Sequence, residues 1–325
     1  MRLNEIESLF ERKSMNALEV VHLTKTFNTI VAVDDASFEV PEGCIFGLIG
    51  RNGAGKTTTL RMMMGIYLPD CGEIKLRGSD ISQEFKNRSG YLPEERGLYK
   101  RMKVMDTLLY FAEIKGKTGK DIERRAEDYL KRFDLFDRRL SKIEDLSKGN
   151  QQKIQFIITV LHDPEFVVLD EPFSGMDPIN TDILKEMILE MKSRGKVIIF
   201  STHLMDFAEK LCDQIAMIDH GKIILKGSLK DIKSKYAHQN VSLEYSGDIS
   251  FLESTPIIEK ISDFGNSKGI RVKKPEDIQS LLKLLVDHNV TITKFNANEI
   301  SLHEIFVELA GGDSGASIRG EASHV

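Results

Sequence analysis

Eight residues constrain this chain more than any others. Gly50-Arg51-Asn52-Gly53-Ala54-Gly55-Lys56-Thr57 matches GxxxxGK[ST] in full. It lies between the apolar run GCIFGLIG and a segment carrying Leu60, Met63 and Met64 on one helical face. A buried strand that feeds a glycine-rich loop and then a helix belongs to an α/β fold. Gly50, Asn52, Gly53 and Gly55 let backbone N–H groups curl round phosphates, and the helix N-terminus adds its positive dipole end. Lys56 is expected to reach the β- and γ-phosphates and Thr57 Oγ1 to ligate Mg²⁺, with Thr58 following in the same binding turn. Alone, the loop says only that a nucleoside triphosphate binds.

The rest of the chain reads as two domains. ALEVVHL, TIVAVDDASFEV and GEIKLRG are strand-like, and FVVLD and VIIFS are short continuous apolar runs of the kind a doubly covered parallel sheet needs. Residues 97–161 turn helical, with Leu108, Leu109, Phe111 and Ala112 on one amphipathic helix and ERRAEDYLKRFDL on a second. IAMID and KIILKG form a closing hairpin at His220-Gly221. This first domain is placed at 16–230. A Lys-rich linker is then expected, followed by a small α+β domain (231–311) with a βαβ-like unit. Its strands are VSLEY, GIRVKK and VTITKF. One helix has Pro275 in its first turn, and another opens with a Ser301/Glu304 capping box. Residues 1–15 form an extension, with Met15 an alternative start, and 312–325 a disordered tail.

Composition narrows the function by exclusion. Lys and Arg total 45 against 50 Asp and Glu, a net charge of -5, so nucleic acid is not the expected partner. Cys44, Cys71 and Cys212 have no CxxC spacing, which argues against structural zinc and suits a reducing compartment. No apolar run reaches the ~18–20 residues that span a bilayer.

Two further clusters carry chemistry. FVVLD ends in Asp170 followed by Glu171, and buried carboxylates are costly unless paired or bound to a cation. Asp170 is expected to hold Mg²⁺ through water, and Glu171 to orient and polarise the water that attacks the γ-phosphate. Leu146-Ser147-Lys148-Gly149-Asn150-Gln151-Gln152-Lys153 opens a helix with Ser147 as N-cap and leaves an anion site at its N–H groups.

With these motifs in this order, residues 16–230 resemble the ABC ATPase family. LSKGNQQK stands where that family has LSGGQ, with Ser147 and Gly149 matching and Lys148 and Asn150 departing. The resemblance implies a P-loop NTPase of ABC type, with a parallel core sheet, an antiparallel β subdomain and an inserted helical subdomain. It also implies a homodimer or pseudo-symmetric dimer in which Ser147 and Gly149 meet the γ-phosphate of ATP held by the other subunit. By the same resemblance Phe27 stacks on adenine, and Ser174-Gly175-Met176-Asp177 is the D-loop that couples the two sites. His203 is the switch histidine at the γ-phosphate. Tyr91-Leu92-Pro93-Glu94 resembles the Q-loop with Glu94 in place of Gln, an acceptor-only side chain able to ligate Mg²⁺ or a water. Leu98, Tyr99 and Met102 follow where the family's helical subdomain meets its membrane partner.

GYLPEERGLYK and the added C-terminal domain resemble the exporter branch of sodium (NatA-like), drug and peptide ATP-binding subunits. There the permease is a separate integral-membrane chain and the ATPase sits peripherally on the cytoplasmic face. The alternative is a soluble ABC ATPase acting outside transport, whose relatives carry tandem ATPase units, coiled-coil inserts or zinc modules that this sequence lacks.

Overall fold

The computed structural model describes residues 16–310 apart from 82, 96, 238, 266, 298 and 299; the expected N-terminal extension and tail lie outside the described residues. Two long strands, β1 (Asn16–Phe27) and β2 (Ile30–Pro41), pair antiparallel, and β4 (Cys71–Leu76) with β5 (Ser79–Asp80) extends them into a sheet ordered β2-β1-β4-β5. Between them β3 (Ile45–Ile49), buried throughout, runs into the phosphate-loop motif and α1 (Lys56–Met63). Leu60, Met63 and Met64 all face the core, as their spacing predicts.

The second sheet has the order β10-β9-β3-β8-β7-β6. It uses β6 (Ser89–Leu92), β7 (Phe166–Asp170), β8 (Val197–Thr202), β9 (Gln214–Asp219) and β10 (Lys222–Ser228). Strands β9, β3, β8, β7 and β6 are parallel. β7 and β8 are buried at every position, which is why FVVLD and VIIFS read as unbroken apolar runs. His220 and Gly221 both have positive φ, 45° and 82°, the backbone of a two-residue hairpin turn. The two sheets share one apolar core in which Phe38 stacks on Phe46 at 5.2 Å.

The inserted helices are α3 (Val104–Ile114), α4 (Lys120–Arg132) and α5 (Lys148–Leu161), each packed on the others. Phe133 meets Phe156 edge-on at 6.0 Å inside this bundle. A short helix, α2 (Gln83–Arg88), precedes β6, and α6 (Pro178–Ser193) and α7 (Met205–Leu211) complete the unit.

The described chain packs as two compact units that part between Lys226 and Gly227. Here the structure corrects the sequence reading. The expected Lys-rich linker is a helix, α8 (Leu229–Ala237), because Leu229 and Ile232 supply a buried face beneath the lysines. The second unit holds β11 (Asn240–Ser246), β12 (Ile258–Asp263), β13 (Lys268–Val272), α9 (Asp277–Asp287), β14 (Thr291–Ala297) and α10 (Leu302–Ala310). Its sheet, β12-β13-β11-β14, is antiparallel between neighbours. β13 and β14 are parallel to each other across α9, but β11 lies between them, so the βαβ-like unit is split. α9 begins at Asp277, leaving Pro275 just ahead of the helix rather than in its first turn. The Ser301/Glu304 capping box forms: Ser301 N donates to Glu304 Oε2 at 2.7 Å and Glu304 N to Ser301 Oγ at 3.2 Å.

Candidate functional site

The motif residues converge at the C-terminal ends of the parallel strands, where open α/β sheets place their ligands. The loop after β3 wraps tightly enough to exclude side chains. A Cβ on Gly50 would stand 2.2 Å from Ile218 O, and one on Gly55, at φ 108°, 2.4 Å from Ala32 O. Both positions therefore require glycine.

Lys56, 5% exposed, donates from Nζ to Gly50 O at 2.8 Å and Arg51 O at 3.1 Å. Its Nζ also lies 3.2 Å from Glu171 Oε1, a pair with ionic contact but no hydrogen-bond geometry. Glu171, 6% exposed, sits just past β7 at φ 48°, a left-handed conformation that turns it off the strand. Its N–H donates to Ser201 Oγ at 3.0 Å, and its Oε2 lies 3.0 Å from His203 Nδ1. Lysine, glutamate and histidine thus form one contact chain across three motifs.

Asp170 ends β7 opposite Ser201 of β8. Its Oδ1 accepts from Thr57 Oγ1 at 3.1 Å and from Ser201 Oγ at 2.5 Å. Burial pushes its carboxyl above the usual range, the two hydroxyls oppose that, and the neighbouring Glu171 charge adds to it. Asp170 Oδ2 is buried with no hydrogen-bond partner among the described residues. A buried carboxylate oxygen left in this state is a cost that a cation would relieve. The donor set therefore fits Mg²⁺, a hard cation that takes a few protein oxygens and completes its shell with phosphates and water. Among the described residues no group of three or more His, Cys, Asp or Glu gathers to hold a metal by itself.

A cavity of about 350 Å³ opens over this chemistry, lined by Asn52, Gly53, Gly55, Lys56, Thr57, Thr58, Glu94 and Glu171 together with Ala32. Phe27, Ser147, Gly149 and Asp177 lie outside its lining. Phe27 is 38% exposed at the end of β1, with Tyr67 edge-on at 5.3 Å and Lys25 Nζ 5.5 Å from its ring centroid. Ser147 caps α5 by accepting from Asn150 N at 3.3 Å. Gly149 has no atom within 4 Å of where a Cβ would stand. Asp177 caps α6 ahead of Pro178, and the Asn180 N–H it accepts, at 3.0 Å, holds its carboxyl below the usual range.

Three residues support the site without a role assigned to them by the motifs. Ser201 bridges Asp170 and Glu171. Gln155 Nε2 donates to Glu95 O at 3.1 Å and Pro93 O at 3.4 Å, tying α5 to the Glu94 loop, and Gln152 Nε2 donates to Pro172 O at 3.1 Å. Spacing alone would have found the two glutamines, since they sit at i and i+3 on the helix that Ser147 opens.

Comparison with known proteins agrees with this arrangement. The ABC transporter family profile matches residues 33–174, and the profile of the DrrA1-3-like ATP-binding protein C-terminal domain matches residues 227–310. The uncharacterized ABC transporter ATP-binding protein YhaQ of Bacillus subtilis (strain 168) is 42% identical over 294 residues, spanning 90% of this chain and 98% of YhaQ. The ABC transporter ATP-binding protein NatA of the same organism is 35% identical over 237 residues, 72% of this chain and 93% of NatA. A solved structure of the ATP binding subunit of an ABC transporter superposes with a TM-score of 0.64 at 32% identity, covering 68% of this chain and 93% of that one. Fold, motif order and similarity over most of its length together mean that the chain belongs to the ABC transporter ATP-binding proteins, ATPases whose hydrolysis is coupled to transport.

Proposed function

We propose that this chain powers an exporter: it hydrolyses ATP as a head-to-tail dimer beneath a separate integral-membrane permease, on the cytoplasmic face of the membrane. The observation that carries this reading is the division of the motifs. Lys56, Thr57, Glu94 and Glu171 line one cavity, whereas Ser147 and Gly149 stand away from it with open space around Gly149. A second copy, turned head to tail, would bring Ser147 and Gly149 to the phosphates held by Lys56. The exporter direction is supported by the resemblance of the Glu94 segment and the C-terminal unit to the exporter branch. Among the described residues no helix is long and apolar enough to cross a membrane.

The chemistry then follows from the side chains. Lys56 exchanges its carbonyl and Glu171 contacts for phosphate oxygens. Phe27 offers its exposed ring to the adenine. Thr57 and Asp170, with Glu94 as a third oxygen donor, would hold Mg²⁺, which would supply positive charge against the phosphates. Glu171 takes a proton from water as the water oxygen bonds to the γ-phosphorus and the bond to the β-phosphate oxygen breaks, giving ADP and phosphate. His203 steadies Glu171 and hydrogen-bonds the γ-phosphate, and Asp177 marks the loop that couples the two sites.

For the permease, a largely apolar groove of about 300 Å³ lies between β6 and the inserted helices, lined by Pro93, Leu98, Phe111, Ile114 and Ile158 among others. Tyr99, 53% exposed, stacks beside it on Phe111 at 6.0 Å. The second unit is assigned a regulatory or dimer-stabilising role.

Gentle solubilisation of native membranes, capture of the tagged chain and mass spectrometry test the reading. A polytopic membrane protein in near-equal amount is the expected result. Recovery with soluble partners alone would replace transport by a soluble ATPase role.

A further inference from the structure

Around Asp170 lies a polar cluster that the hydrolytic roles above leave unused. Arg61, on α1, donates from Nη1 to Tyr67 Oη at 3.1 Å, and its guanidinium carbon is 5.7 Å from the Tyr67 ring centroid. Tyr67 in turn meets Phe27 edge-on. Its positive charge also acts on Tyr91 of β6 and on Asp170.

Tyr91 pairs with Val168 across β6 and β7. Asp170 is two residues beyond Val168, so all three side chains leave the same face of the sheet. The Tyr91 hydroxyl is buried and has no hydrogen-bond partner among the described residues, although it lies within the electrostatic reach of both Arg61 and Asp170. Asp170 Oδ2 is buried and unpartnered in the same sense. A buried donor and a buried acceptor are thus both left over on one face of the sheet, a state that among the described residues only Gln152 Oε1 and Glu171 Oε1 share. Each such group carries a desolvation cost and calls for a reason.

We propose that Tyr91 is a positioning residue for the divalent cation: its hydroxyl, steadied by Arg61, donates to one lone pair of Asp170 Oδ2, leaves the other to the metal, and fixes the orientation of the carboxylate. Thr57 and Ser201 already occupy Oδ1, so a donor at Oδ2 is the remaining constraint on rotation of the carboxyl plane. Partners of this kind, one step removed from the metal, set metal affinity by 10–100-fold where they have been removed. The cluster continues through Arg61 and Tyr67 to Phe27, which would tie the seat of the base to the seat of the metal. This inference rests on the reading of Asp170 as a Mg²⁺ carboxylate.

The test is Mn²⁺ affinity of the full chain in the presence of ADP, followed by electron paramagnetic resonance of the free ion, with ADP affinity in EDTA measured alongside. Tyr91→Phe is expected to weaken Mn²⁺ binding about tenfold while leaving metal-free ADP binding within twofold. Arg61→Lys, which keeps the charge but loses the planar fork, is expected to weaken Mn²⁺ by a smaller factor, at least threefold. Should Tyr91→Phe fail to fold, Arg61→Lys alone decides. A loss under threefold overturns the proposal, as does an equal fall in metal-free ADP affinity. A gain in melting temperature with Mn²⁺ affinity unchanged would mark Tyr91 as a packing residue only, and also overturns it. Wild-type protein that binds no Mn²⁺ with ADP would instead remove the nucleotide-site reading beneath it.

Discussion

The two units solve the problem of burying polar groups in opposite ways. Among the described residues, every buried polar or charged side chain lies in the first unit, from Lys56 to Thr202. The four buried side-chain atoms without a hydrogen-bond partner lie there too, on Tyr91, Gln152, Asp170 and Glu171. The second unit buries apolar side chains such as Leu243, Ile270, Leu281 and Leu285 and keeps its charges at the surface or paired, as in the two-pronged Arg271–Glu308 bridge at 2.8 and 2.9 Å. Buried polarity costs stability unless something uses it. The first unit therefore carries the signature of chemistry and the second that of a scaffold.

The largest expected effect that separates the units is on stability. Leu281→Ala empties a fully buried position in the second core and should cost about 2–5 kcal/mol there, read by urea unfolding. ATP turnover, measured at a protein concentration that keeps the chain dimeric, should stay within about twofold; a tenfold fall there would make the second unit part of the motor.

Next is an acid-sensitive element in the first unit. His162 is buried, its Nε2 lies 3.2 Å from Ser89 O, and burial followed by the charge of Lys115 lowers its pKa from 6.5 to about 4. The unfolded chain takes up the proton first as pH falls, so stability present above pH 6.5 is lost between 6.5 and 4, by up to about 3 kcal/mol. His162→Gln should flatten the slope of urea midpoint against pH in that window; an unchanged slope contradicts the assignment.

A smaller effect is expected at the cavity mouth. Glu94→Gln should keep ATPase activity within tenfold, or about 1.4 kcal/mol in barrier height, since the amide retains an oxygen acceptor. A greater loss would make the carboxylate itself essential. Smallest is Ser301→Ala, which removes one half of the capping box and should lower the second unit's stability by about 1 kcal/mol with no effect on turnover.

What the sequence made legible depended on how local the signal was. The phosphate loop, Asp170-Glu171 and the fully buried strands announce themselves within a few residues, because one strand or one turn carries the whole pattern. β6 did not, since Ser89 and Gly90 hide its apolar character; Gly90 is small because a Cβ there would stand 2.1 Å from Thr159 O on α5. β12 was missed because it is a half-exposed edge strand with a register shift between Ile258 and Lys260 that blurs its alternation. α8 reads as linker because its lysines outnumber the buried Leu229 and Ile232. In the site, Ser201 reaches Asp170 only through strand register, which no linear spacing records.

Glu171 is the group assigned to activate water while the rest of the site binds ATP. Single-turnover hydrolysis by Glu171→Gln, with ATP binding and dimerisation measured in parallel, tests it most directly. Turnover is expected to fall about 10²–10⁴-fold with ATP still bound and the dimer retained. Hydrolysis at the wild-type rate would show that another group does this work and that Glu171 serves only to pair Lys56 and His203.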